Sequence, residues 1–146
     1  MAQRIPQTYE NHARYVPAYH GGVFLIFGIN FFWSLYRLVT RFSADSIVAF
    51  LLAIGFLILV FYARMFAITV QDRVIRLEMT LRLQRLLPDD LRGRIGEFSV
   101  GQLVALRFAS DEELPALCRK VLDEKLSDRR TIKKLVKNWT PDYLRA

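Results

Sequence analysis

Few side chains in this chain of 146 residues have types and spacings that could do chemistry. His12 and His20, with Glu10 beside them, could in principle ligate a metal. Compact metal sites draw four ligands from short, fixed spacings, and this trio matches no such spacing and lacks a fourth member. Asp111, Glu112 and Glu113 could supply acid or base groups, but they follow Ser110 where a helix begins, and negative charge is favoured there in any case. No histidine lies beyond His20 to work with them. Cys118 is the single cysteine; it excludes an intramolecular disulfide framework and any CxxC motif, and reads as a small apolar residue on a helix face. Arg130, Lys133, Lys134 and Lys137 form a basic face suited to anionic surfaces. Aromatic stacking residues are nearly absent around them, so no nucleic acid is expected. Hydrolase, transferase and P-loop signatures are missing. The expectation is a protein that is not an enzyme, with no catalytic residue, no metal and no cofactor.

The elements that position these groups are organised by two apolar runs. Ile47 to Ala63 is seventeen residues without a charge or proline, and Gly21 to Tyr36 precedes it. Two such runs joined by a few polar residues predict a transmembrane helical hairpin. The first span should run from Gly21 to about Val39, and the turn, Thr40 to Ser46, should centre near Phe42 and Ser43. That centre sets Asn30 opposite Gly55, so Gly28, Asn30 and Gly55 are expected to form the hairpin packing contact, small residues letting the backbones approach. The polar first twenty residues carry no cleavable signal, so the first span should remain as an anchor. With Pro6, Pro17 and several tyrosines, segment 1–20 should lie along the membrane interface. The net charge is +7 and most of it falls beyond Arg64. Arg4 and Arg14 on one side nearly balance Arg37 and Arg41 on the other, and Arg64, Arg73, Arg76 and Arg82 then place both termini in the cytoplasm.

Nothing stops the second helix at the membrane surface, because no glycine or proline occurs between Phe56 and Leu87. A helix from Ser46 to Leu87 would be about 63 Å long, and its part beyond residue 67 should form a cytoplasmic stalk over 68–87. The stalk carries two apolar stripes. Val70, Val74, Leu77 and Leu81 are spaced like a coiled-coil seam, and Ile68, Ile75, Met79, Leu83 and Leu86 lie on another face. One stripe should meet the chain's own C-terminal helices, leaving the other for association.

Residues 88–146 are expected to be a small cytoplasmic helical module. Gly93 and Gly96 mark a linker, and Ser99 with Gln102 is a capping-box start for a short helix bearing Leu103 and Leu106. Ser110 with Glu113 repeats the signal for a helix from Asp111 to Leu126. A third helix should run from Asp128 to Asn138 with Ile132, Leu135, Val136 and Trp139 inward. Thr140 before Pro141 reads as one further helical start. The fold class is therefore all-α: a transmembrane helical hairpin over 21–67, the stalk, and the module.

Gln7, Tyr9, Asn11, His12, Arg14, Tyr15, Pro17, Tyr19 and His20, with the stretch from Phe108 to Pro115 and with Ile132, Lys133 and Trp139, carry a resemblance. On these residues the chain resembles a bacterial family of small two-span integral membrane proteins of unknown function. The resemblance covers nearly the whole chain and implies a bacterial inner-membrane location, but supplies no catalytic residues. The function expected from the residues themselves is self-association, as a homo-oligomer, or docking as an accessory subunit of a larger membrane complex. The alternative is a membrane-anchored binder of anionic lipid through the basic face.

Overall fold

The computed structural model describes residues 7–11 and 16–142. Arg4, Pro6, His12, Arg14 and Tyr15, on which parts of the sequence reading rest, lie outside them. The described residues are about 74% helical, with no β-strand among them. These residues group into two compact units. Residues 16–68 make one, and residues 7–11 with 69–142 make the other.

In the first unit, Pro17 fixes a helical φ of −57° and the chain winds from there, four residues before Gly21. A π-helical turn, Ala18–Val23, leads into α1, Phe24–Thr40. After a turn over 41–43 the long helix α2 spans Ala44–Leu86. Two serines set that start. The Ser46 amide donates to Ser43 Oγ (3.2 Å) and the Ser43 amide to Ser46 Oγ (2.9 Å), which satisfies amides a helix start leaves open. Ala18–Thr40 and Ala44–Leu86 are each long and apolar enough to cross a membrane. Their outer faces expose Leu25, Ile26, Phe32, Leu51, Leu52 and Leu59.

The contact between the two helices corrects the sequence reading. Phe27 stacks on Phe56 with ring centroids 5.2 Å apart, and Phe31 meets Phe50 at 5.4 Å. Ser34, Ser46 and Ala53 are buried. The depth pairing is close to the one expected, but the face is different. A Cβ added at Gly28 or at Gly55 would meet nothing within 4 Å, and Asn30 is exposed. The reason is helical phase: nine residues beyond buried Ser46, Gly55 is turned about half a revolution away from it. Bulky aromatic rings, rather than glycines, set the spacing of the pair. Ser34 also satisfies its hydroxyl within α1, donating to the Asn30 carbonyl at 2.8 Å.

In the second unit, residues 69–86 of α2 lie with the C-terminal helices. Ile75, Met79, Leu83 and Leu87 enter one core with Leu91, Phe98, Leu103, Leu106, Leu114, Val121 and Ile132. Stalk and module are thus one folding unit. Pro88, with ψ 160°, ends the helical run. The region expected to be a linker holds a short helix, α3, Asp89–Arg92, and a 3-10 turn, Ile95–Glu97. Leu91 is buried there, so apolar burial overrides the glycines. The capping box at Ser99 and Gln102 forms as read and opens α4, Val100–Leu106.

Two further helices are shorter than expected. α5 spans Leu114–Asp123. At its start Ser110 and Glu113 make only long reciprocal bonds of 3.4 Å, because the Glu113 carboxylate also accepts the amides of Lys137 and Asn138, both at 3.1 Å. At its end Lys125 takes the left-handed conformation, φ 51°. Its amide then bonds Leu122 O (3.3 Å) and that of Leu126 bonds Val121 O (3.0 Å), a Schellman closure. α6 spans Arg129–Leu135, with Asp128 as its cap. It stops because Val136 turns extended, with ψ 120°, and the chain then pairs at Ala109 and Trp139 through an isolated antiparallel bridge. Thr140 opens no helix among the described residues; its amide bonds Phe108 O at 2.7 Å.

Of the interfacial segment expected over 1–20, residues 7–11 and 16–20 are described, and they fall in different units. Residues 7–11 belong to the C-terminal unit, where Gln7 pairs with the Asp142 backbone in both directions, donating at 3.0 Å and accepting at 2.8 Å.

Candidate interaction surface

Between Thr69 and Leu86, α2 has two opposed faces. Ile75, Met79 and Leu83 are 4% exposed or less, whereas Val70, Val74, Leu77 and Leu81 are between 49% and 62% exposed. At about 100° per residue, the mean directions of the two sets are roughly opposite. The C-terminal helices cover one side of the rod, and the other carries four apolar side chains in a row. Arg73 and Glu78, both exposed, flank that row on either side.

The covered side is held by a residue that the sequence reading used only as a positive flank. Arg82 donates from Nε to Asp111 Oδ1 (2.7 Å), from Nη1 to the Arg107 carbonyl (3.1 Å) and from Nη2 to the Ala109 carbonyl (2.7 Å). Its helical angle, beside Ile75 and Met79 on the buried face, was the available signal. The acidic cluster therefore does structural work. Asp111 receives Arg82, and Glu113 ties the start of α5 to the chain beyond α6.

The basic face is split. Lys133 is half-buried, its ammonium 5.3 Å above the Phe108 ring, and Trp139 covers the same ring at 4.8 Å. Lys134 stands 5.7 Å over Tyr9. Arg130, Lys134 and Lys137 are exposed, while Ile132 and Val136 point inward as expected. Leu135 and Trp139 are partly buried against the same core.

Burial and hydrogen bonding shift several titratable groups among the described residues. Burial pushes the Cys118 thiol up to about 12, against the lowering effect of the Arg82 charge, so the thiolate is suppressed. Side-chain and backbone hydrogen bonds from Thr131 hold Asp128 below its ordinary value, and a hydrogen bond from Arg119 does the same for Asp90. These are helix-capping and surface ion-pair effects. Of the metal set weighed above, His12 lies outside the described residues, and His20 Nδ1 lies 3.1 Å from both the nitrogen and the oxygen of Val16.

Over residues 1–146 the sequence matches a family of unknown function, DUF6526. The chain belongs to this family. No curated protein and no solved structure matches it. The family carries no activity to transfer, so functional argument for this member rests on the faces described above.

Proposed function

We propose that the protein is a non-enzymatic, two-span protein of the bacterial inner membrane, with both termini cytoplasmic, which associates through the outer face of its long helix. The observation that carries this reading is the row Val70, Val74, Leu77 and Leu81, exposed while the opposite stripe is buried in the protein's own core. A row of large apolar residues on a water-facing surface is stabilised by a partner. Changing Val74 and Leu81 together to Asp should leave the C-terminal helices folded and abolish association in native membranes. Changing Ile75 and Leu83 to Asp should unfold those helices, because a buried unpaired carboxylate is not tolerated. Unchanged association in the first variant would sink the reading.

A second reading, binding of anionic lipid headgroups by the C-terminal helix, is favoured by the exposure of Arg130, Lys134 and Lys137. Replacing these three by Glu should then reduce salt-sensitive binding to vesicles containing anionic lipid.

A further inference from the structure

The charges beside the exposed row name its occupant, and this inference rests on the association reading above. In the heptad that the row defines, Val74 and Leu81 fall at a, and Val70 and Leu77 at d. Arg73 then falls at g and Glu78 at e. In a parallel pair of helices, the g residue of one lies against the e residue of the other, five positions further on. Arg73 would therefore meet Glu78 of an identical helix, and twofold symmetry would supply the pair twice. An antiparallel pairing that keeps all four layers sets g against g and e against e, Arg73 against Thr80 and Glu78 against Gln71, so neither charge would find its opposite. The two inner layers, valine at a (Val74) and leucine at d (Leu77), follow the two-stranded pattern; the outer layers, Val70 at d and Leu81 at a, reverse it. Two chains inserted in one bilayer in the same orientation present these helices parallel and at high effective concentration, which a seam of four layers needs.

We infer that the occupant of the Val70–Leu81 face is a second copy of this chain, in a parallel, two-stranded seam with Arg73 of each copy paired to Glu78 of the other.

The test uses the full chain in native membranes with Cys118→Ala, so that Leu77→Cys supplies the sole thiol. A d-position cysteine in such a seam should oxidise to a disulfide-linked homodimer, whereas one placed at Ile75 in the core should not. Arg73→Glu and Glu78→Arg, each alone, should lower the linked fraction about fivefold by making both pairs repulsive. The two changes together should restore it. A Leu77→Cys homodimer that neither single reversal weakens overturns the proposed register. Cross-linking at position 77 to a different protein, with no homodimer, overturns the second copy as occupant while leaving the association reading standing. Absence of any cross-link from positions 70, 74, 77 and 81 removes both.

Discussion

Arg82 Nη2 lies 2.6 Å from Asp111 Oδ1, across 29 residues of sequence. The arginine is 17% exposed and the aspartate 56%, so the two ends of the pair are not equivalent. Arg82→Met should cost about 2–3 kcal/mol, because the Arg107 and Ala109 carbonyls lose a charged donor. Asp111→Asn should cost less than about 1 kcal/mol, since that end is solvated. Denaturant titration of the full chain, with Trp33→Phe so that Trp139 alone reports, separates the two. Maleimide labelling of buried Cys118 should accelerate in the first variant only.

Glu113 is a junction rather than a simple cap. Its carboxylate accepts the amides of Lys137 and Asn138 in addition to that of Ser110. Glu113→Ala should destabilise the unit by about 1–2 kcal/mol. Hydrogen exchange should accelerate at Lys137 and Asn138, and less at Ser110, whose amide also donates to the Asn138 carbonyl at 3.0 Å. Loss of protection at Ser110 alone would mean that only the helix start depends on it.

Lys125 holds a positive φ that costs an L-residue with a side chain about 1 kcal/mol. Glycine is the residue suited to that position of a Schellman closure. Lys125→Gly should therefore raise the denaturation midpoint, with a gain of up to about 1 kcal/mol, and leave the exposed face unchanged. A lower midpoint would show that the lysine side chain contributes more than its backbone costs.

The face joining α1 and α2 makes a cross-linking prediction. Cysteines at Phe27 and Phe56 should bridge within one chain, and cysteines at Asn30 and Gly55 should not. Gly28→Ala and Gly55→Ala should leave the hairpin intact, having open space for the methyl group. Ala53→Leu should destabilise it by about 1–3 kcal/mol through overpacking. Efficient bridging at positions 30 and 55 would reinstate the glycine face.

What could be read from the residues alone was periodic or local. The two apolar runs, the unbroken course of α2 to Pro88, the capping box at Ser99 and Gln102, and the two stripes on α2 all follow from spacing that the backbone imposes on any helix. The tertiary structure decided matters of phase and competition. Which side of α1 meets α2 depends on where large rings fit, and nothing local distinguishes the face of Phe27 and Phe31 from that of Gly28 and Asn30. The ends of α5 and α6 depend on Glu113 and the bridge at Ala109 and Trp139, contacts between segments distant in sequence. Arg82 was legible as a charge, but its partners are carbonyls of a turn that exists only once α4 and α5 have packed. The choice between the two stripes was likewise made by packing. Both could have been buried by sequence, and the C-terminal helices cover the one bearing Ile75, Met79 and Leu83, which leaves Val70, Val74, Leu77 and Leu81 outside.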